Sequence, residues 1–452
     1  MARLFGTDGV RGVANSALSC ELALQIGAAG AYILASEVHK PRILVGMDTR
    51  KSGKMLSSAL SAGICSVGGD VVQVGVLPTP ALSFLARQYE ADAAVMISAS
   101  HNSMEYNGIK WFDGKGLKLS DALEDRIEAV IRDKTDLPRP TGGGVGRVVR
   151  MRRAQDDYME FLESTASARF DGLKVVLDCA NGAASRIARD LFMRLGANVL
   201  SFCDEPDGYN INDQCGSTHP ERLQQLVSEL GADAGFAFDG DADRLIATDE
   251  RGRIVDGDRV MGICALDMHA RGELNQDTLV ITVMSNLGLK RRMEQAGIRI
   301  SETDVGDRYV LERMLESGYN LGGEQSGHII FGDKHTSGDG MLSAIQLLNV
   351  VKSSGRRMSA LAADIPIYPQ VLVNVCVEET EKQAAFADPE LAQKAKGIEN
   401  KLGANGRVLI RISGTEPLIR IMLEGKDEEA IRAFAVDLGH ILEKNHNGKL
   451  KG

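Results

Sequence analysis

Short β-branched runs alternate with amphipathic stretches along most of this chain, and each alternation closes on a glycine. The clearest case is Leu173-Lys174-Val175-Val176-Leu177-Asp178, a helical stripe through Arg186, Leu191, Phe192 and Leu195, then Gly196 and Val199-Leu200-Ser201-Phe202. Period 2 giving way to period 3.6 and back again is β-α-β grammar. Gly196 stands where a helix ends on a left-handed residue. A second copy runs from Leu279-Val280-Ile281-Thr282-Val283-Met284 through Leu289 and Met293 to Gly297 and Ile298-Arg299-Ile300. A looser one runs from Ile43-Leu44-Val45-Gly46-Met47-Asp48 through a helix near Leu60 to Gly69 and Val71-Val72-Gln73-Val74. Three related α/β domains with mixed sheets are expected. Beyond about Pro366 the pattern changes: 371–377, 408–412 and 418–423 read as strands and 431–442 as an amphipathic helix, a smaller α+β domain. The expected division is 1–150, 151–253, 254–366 and 367–452 around a central cleft. Linkers are expected at Thr141-Gly142-Gly143-Gly144, in the turn-rich stretch 249–257, and at Ile365-Pro366-Ile367-Tyr368-Pro369.

Composition narrows the class. At 452 residues the chain exceeds a single core, since domains run to about 100–200 residues. With 44% apolar and 25% charged residues it reads as a globular protein without a membrane span. Met1-Ala2-Arg3-Leu4-Phe5-Gly6 carries one basic residue with no apolar signal region behind it, so a cytoplasmic location is expected. The seven cysteines, Cys20, Cys65, Cys179, Cys203, Cys215, Cys264 and Cys376, show no C-x-x-C pair, which argues against a zinc site or a disulfide framework. A formal charge of −10 opposes nucleic-acid binding, so an anionic substrate must be held by local Arg and Lys.

Four stretches carry chemistry. In Met96-Ile97-Ser98-Ala99-Ser100-His101-Asn102 an apolar strand ends in small polar residues, at the strand end where α/β proteins place ligands; His101 and Lys110 put cations near a serine-bound phosphate. A Ser/Asn turn after a buried strand is the plainer alternative. In Asp239-Gly240-Asp241-Ala242-Asp243-Arg244 alternating carboxylates can converge on a hard cation such as Mg²⁺. The glycine before the second Asp and the lack of flanking helices reject an EF-hand; a solvated acidic turn is the alternative. Gly322-Gly323-Glu324-Gln325-Ser326-Gly327-His328 offers close backbone approach and groups suited to sugar hydroxyls, or else is a polar turn. In Arg411-Ile412-Ser413-Gly414-Thr415-Glu416-Pro417-Leu418-Ile419-Arg420 two arginines flank a turn able to hold a phosphate dianion; the alternative is a hairpin with incidental arginines.

With these loops in this order, the chain resembles the α-D-phosphohexomutase superfamily over essentially its whole length. Phe5-Gly6-Thr7-Asp8-Gly9-Val10-Arg11-Gly12 and Gly46-Met47-Asp48-Thr49-Arg50 add to the resemblance. Gln325, Val305-Gly306-Asp307-Arg308-Tyr309-Val310 and Cys215-Gly216-Ser217-Thr218-His219-Pro220 are similar to its phosphoglucosamine mutase branch; phosphomannomutase and phosphoglucomutase relatives usually carry Met at the position of Gln325. The resemblance implies a phosphoserine at Ser100 and one Mg²⁺ per subunit held by Asp239, Asp241, Asp243 and the Ser100 phosphate. His101, Lys110, Arg244 and His328 would lie near the reacting oxygens, the general base among them open. Arg308, Glu324, Gln325 and Ser326 would meet the sugar, and Arg411, Ser413, Gly414, Thr415 and Arg420 the phosphate that is not transferred.

It further implies interconversion of glucosamine 6-phosphate and glucosamine 1-phosphate, feeding UDP-N-acetylglucosamine and cell-wall synthesis. The route passes through a 1,6-bisphosphate that turns around in the cleft, with glucosamine or glucose 1,6-bisphosphate as activator. A kinase or the bisphosphate would first load Ser100; no nucleic acid or membrane partner is implied, and a homodimer is left open. The rivals are phosphomannomutase or phosphoglucomutase activity, a non-catalytic phosphosugar sensor, and a phosphatase using an Asp nucleophile. Two departures stand out. Ser103 replaces the family's usual Pro, which would have stiffened the serine turn, and Met47 replaces a common Arg, which weakens any phosphate role for its turn.

Overall fold

The computed structural model describes residues 3–6, 8–35, 40–413 and 416–451. The expected β-α-β units form three mixed sheets. The first has the order Val10–Val13, Tyr106–Asp113, Ala93–Ile97, Arg42–Met47, Asp70–Val76, Val148–Arg150. The second runs Ile254–Val255, Leu245–Asp249, Ala234–Phe238, Lys174–Asp178, Asn198–Phe202, and the third Arg299–Thr303, Thr278–Thr282, Leu321–Gly323, Ile329–Phe331. All three share one plan. A parallel pair is extended by a third parallel strand, which doubles back through a loop into an antiparallel neighbour. Ala93–Ile97 returns as Tyr106–Asp113, Ala234–Phe238 as Leu245–Asp249, and Leu321–Gly323 as Ile329–Phe331. The three connecting loops are the serine, acidic and glycine-rich stretches, so the repeat puts its chemistry at equivalent strand ends.

The central strands read as unbroken apolar runs because both faces are covered. Ala93–Ile97 is buried throughout, and Ile43, Val45, Val71, Val95 and Ile97 pack with Ile26, Leu56, Leu60 and Ile64 of the helices Cys20–Leu34 and Gly53–Ser66. Local chemistry adjusts several expectations. The helix expected through Arg186 and Leu195 is split at Ile187 (φ −136°) into a 3-10 turn Ala183–Arg186 and the helix Ala188–Arg194. Gly196 is left-handed at φ +97°, but the first copy closes on Gly68 (φ +97°) rather than Gly69. The stretch 249–257 is ordered: the Asp249 carboxylate accepts the Arg251 and Arg253 amides at 2.9 and 3.0 Å, and Asp256 caps the helix Gly257–Ala270. Among the described residues no helix is long and apolar enough to cross a membrane.

Residues 365–452 together with 285–295 make a separate compact unit. Its antiparallel sheet has the order Gly406–Ile412, Leu418–Gly425, Gln370–Cys376, Lys449–Lys451. The helix Glu428–His446, capped by Asp427, lays Ile431, Ala435, Leu438 and Leu442 on Val371, Val375, Ile419, Ile421 and Leu423. The sequence pattern places the helix Leu287–Gln295 between two strands of the third α/β copy, yet it belongs to this unit. Asn286 explains the attachment: its amide donates to the Tyr368 carbonyl and accepts from the Tyr368 N–H, each at 2.9 Å.

Glu124, in the first turn of the helix Asp121–Arg132, is 6% exposed. Burial pushes its carboxyl from 4.5 up to about 7, with Arg3 at 3.4 Å countering only in part. The folded state therefore holds a proton that the unfolded state has released, and stability falls as pH rises from about 4.5 to about 7. Glu124→Gln removes that fall. In urea titrations it is expected to gain on the wild type across this window, by on the order of 1–3 kcal/mol above it; a gap that does not change with pH would refute the assignment.

Candidate functional site

The serine loop follows the buried strand Ala93–Ile97. Ser100 is 2% exposed and sits at φ +50°, a conformation that costs a non-glycine residue on the order of 1 kcal/mol or more and persists only where the surroundings impose it. The imposing group is Arg50. One guanidinium nitrogen donates to the carbonyls of Ser100 at 2.9 Å and Asn102 at 2.8 Å, and the other to Ser103. Its Nε donates to Asp48 at 2.9 Å, in a pair that is fully buried. Asn212, which follows the edge strand Asn198–Phe202 of the second sheet, donates to the same Ser100 and Asn102 carbonyls, at 2.9 Å each. Rigidity that the missing proline would have supplied thus comes from Arg50 and Asn212. The turn around Met47 is a clamp on the serine loop.

The Ser100 hydroxyl donates to Asp239 Oδ2 at 2.5 Å and lies 3.4 Å from His101 Nδ1. The acidic loop reaches it because Gly240 packs on the serine loop: a Cβ there would stand 2.5 Å from the Ser100 carbonyl oxygen. Oxygens of Asp239, Asp241 and Asp243 lie within 4.8 Å of one another, and all three residues are buried. Burial, then Asp243 and Asp241, hold the Asp239 carboxyl well above the carboxylate range. Asp243 goes the other way: against its burial, His328, Lys110 and Arg244 hold it far below that range. One oxygen each of Asp241 and Asp243 is buried without a hydrogen-bond partner. Three crowded carboxylates with two unspent oxygens are what a hard divalent cation needs, so the residues fit Mg²⁺.

A ring of opposite charges runs from this loop through all three sheets and back. Asp241 pairs with Lys110 at 2.9 Å, Lys110 with Asp8 at 3.0 Å, Asp8 with Lys118 at 2.6 Å, and Lys118 with Asp307 at 2.6 Å. Asp307 is 3.7 Å from His328, which is 3.5 Å from Asp243. Against their burial, Asp241 and Asp8 raise Lys110, and Asp307 and Asp8 raise Lys118, so both stay protonated. His328 is likewise raised despite burial, by Asp243 and Asp307. The imidazole of His101 moves oppositely, to about 4, through burial and the charges of Arg244 and Arg11. Arg244 is held charged against its burial by Asp243 and Asp239.

Glu324 accepts from the Gly306 N–H at 3.0 Å and has the exposed Ser326 hydroxyl at 3.5 Å. The Gln325 carbonyl accepts the Gly257 N–H at 3.1 Å. Arg308 spends its guanidinium on Asp121 at 2.6 Å and Glu312 at 2.9 Å. Ser100, His101, Lys110, Arg244, His328 and the three aspartates therefore form one cluster, whereas Gln325 and Arg308 are engaged by protein groups. Sequence reasoning missed Arg50, Asn212, Lys118 and Asp307 as parts of the site. Of these, Arg50 lies in the Gly46 to Arg50 turn and Asp307 in the Val305 to Val310 stretch, while Asn212 and Lys118 fall in no motif.

In the C-terminal unit, Arg411 and Arg420 face each other directly across the antiparallel pair. Like charges so placed destabilise a sheet unless an anion lies between them. Burial and Arg420 lower the Arg411 guanidinium. Ser413 is 2% exposed; Arg420 is bound to Glu416 at 2.7 Å, while its Nε is buried without a partner. Gly414 and Thr415 lie outside the described residues.

Comparison with known proteins matches four family models along the chain. These are phosphoglucomutase/phosphomannomutase alpha/beta/alpha domains I (residues 2–137), II (156–252) and III (256–368), and the C-terminal domain (372–440). The phosphoglucosamine mutase of Thermoanaerobacter sp. (strain X514) is 53% identical over 447 residues, covering 99% of this chain and 100% of its own. That of Acetivibrio thermocellus is 54% identical over 446 residues, covering 98% and 99%. A phosphoglucomutase/phosphomannomutase family protein from Burkholderia thailandensis superimposes with a TM-score of 0.83 at 26% identity, over 98% of this chain and 97% of that one.

Proposed function

The chain belongs to the phosphoglucomutase/phosphomannomutase family, and from that premise we propose that it is a phosphoglucosamine mutase, interconverting glucosamine 6-phosphate and glucosamine 1-phosphate. The observation that carries the reading is the Ser100 hydroxyl hydrogen-bonded into a loop of three crowded carboxylates. Ser100 is the residue that carries phosphate between substrate molecules. Its phosphate passes to the free sugar hydroxyl; the resulting 1,6-bisphosphate turns around, and its other phosphate returns to Ser100. Asp239, Asp241 and Asp243 hold one Mg²⁺, which when bound neutralises charge on the phosphate oxygens. Lys110 and Arg244, kept protonated, stabilise the charge that develops on the transferring group. They are poor candidates for a base. His101, kept neutral, can accept the proton.

Glu324 and Ser326 take the sugar hydroxyls. Gln325 and Arg308 line the sugar loop, Gln325 tied by its carbonyl to the Gly257 N–H and Arg308 by its guanidinium to Asp121 and Glu312. Arg411, Ser413, Gly414, Thr415 and Arg420 take the second phosphate. Domain seams fall near 150, 253 and 366. Glucosamine or glucose 1,6-bisphosphate, or a kinase, loads Ser100; the compartment is the cytoplasm, and a homodimer is compatible with the reading.

A coupled assay with Mg²⁺ and a trace of sugar bisphosphate tests the proposal. Glucosamine 6-phosphate is expected to be turned over with a kcat/KM at least about tenfold above mannose 6-phosphate and glucose 6-phosphate, a margin of about 1.4 kcal/mol. Preference for a neutral hexose would make it a phosphomannomutase or phosphoglucomutase. Steady release of inorganic phosphate would make it a phosphatase, and an intact mass without phosphate during turnover would remove Ser100 from the reaction.

A further inference from the structure

We propose that Cys203 and Cys215 form a peroxide-responsive dithiol that closes to a disulfide and loosens the serine loop. Cys203 follows the strand Asn198–Phe202 and is half-buried; Cys215, 1% exposed, caps the 3-10 turn Gly216–Thr218. Their sulfurs and an Asp178 oxygen lie within 4.8 Å of one another. The neighbouring Cys215 thiol holds Cys203 below the ordinary thiol range, with Arg222 helping, while Cys215 is itself pushed up. The accessible sulfur is thus the nucleophile and the buried one the resolving thiol. A metal fits the trio poorly. Both Asp178 oxygens are already taken, by the Ala180 and Gly216 amides at 2.9 and 2.8 Å, which leaves two thiols where a closed site needs about four ligands.

The chemistry balances with hydrogen peroxide as oxidant. The Cys203 thiolate attacks one peroxide oxygen, the O–O bond breaks, hydroxide leaves, and Cys203 becomes a sulfenic acid. The Cys215 sulfur then attacks the Cys203 sulfur, the S–O bond breaks, and water departs with the Cys215 proton. Two thiols are oxidised by two electrons and one peroxide is reduced to water.

The consequence reaches the site because the segment between the two cysteines carries Asn212, whose amide holds the Ser100 and Asn102 carbonyls at 2.9 Å each. Closing from the present separation, at most 4.8 Å, to a bond of about 2.05 Å draws the segment by up to about 3 Å. Hydrogen bonds do not survive such a displacement.

Both cysteines fall in one tryptic peptide, 195–222, which holds no other cysteine. After brief peroxide treatment of the full-length protein, this peptide is expected lighter by two hydrogens and refractory to alkylation, with turnover lowered at least tenfold and restored by dithiothreitol. Cys203→Ser is expected to keep basal turnover and resist peroxide; Cys215→Ser is expected to accumulate a sulfenic acid at residue 203 that dimedone traps. Oxidation of Cys203 to the sulfinic acid with Cys215 still alkylatable overturns the proposal, as does equal peroxide sensitivity in Cys203→Ser. The turnover readout rests on the mutase reading; the peptide mass does not, so the failure of one is distinguishable from the failure of the other.

Discussion

Ser100→Ala is expected to give a folded protein whose mutase turnover is lower by on the order of a thousandfold or more. Folding survives because Arg50 and Asn212 hold the carbonyl of residue 100, not its side chain. Turnover does not, because no neighbour can take over the phosphate. Ser98 is the nearest hydroxyl in the loop, and it is committed: it donates to Asp48 at 2.7 Å and accepts the amide of residue 100 at 2.9 Å. Circular dichroism and the coupled assay settle the matter together. A variant that kept near wild-type turnover with unchanged dependence on bisphosphate would remove Ser100 from the mechanism.

Arg50→Met is expected to damage both stability and catalysis. It frees three carbonyls of the serine loop and leaves the Asp48 carboxylate buried without its cation, a loss typically of about 3–5 kcal/mol. The two effects separate in a double variant. Adding Asp48→Asn removes the stranded charge and should recover part of the urea midpoint, whereas the loop stays unclamped and kcat stays low. An unchanged midpoint and kcat in Arg50→Met alone would show that the clamp is idle.

Much of the site was legible because each of its loops is short and contiguous. Ser98 to Asn102, Asp239 to Arg244 and Gly322 to His328 each carry their chemistry within a few residues of a strand end, where the hydrophobic pattern breaks. Lys118 offers no such cue. It lies in a Gly-Leu-Lys-Leu-Ser stretch that reads as a plain turn, and its partners are at positions 8 and 307. Arg50 was visible only as part of a resemblance, since its targets lie some fifty residues onward. Gln325 is a different case: its place in the sugar loop suggests contact with substrate, and its backbone carbonyl accepts the Gly257 N–H at the start of the next helix. The attachment of 285–295 to the C-terminal unit escaped periodicity because a helix pattern reveals an apolar face, not which core receives it.

The ring of charges bears on how this protein unfolds. Lys110, 2% exposed, comes from the first sheet and its partner Asp241, fully buried, from the second; Asp307 and His328 come from the third. The ring members of the first sheet, Asp8, Lys110 and Lys118, carry a surplus of positive charge and those of the second, Asp241 and Asp243, a surplus of negative, so neither set is neutral alone. Were one to open alone, the others would be left holding buried charges without counterions, which costs several kcal/mol per ion. Partial opening is thereby made expensive, and the three sheets are bound into one cooperative melting unit, in which the active-site electrostatics double as the seam.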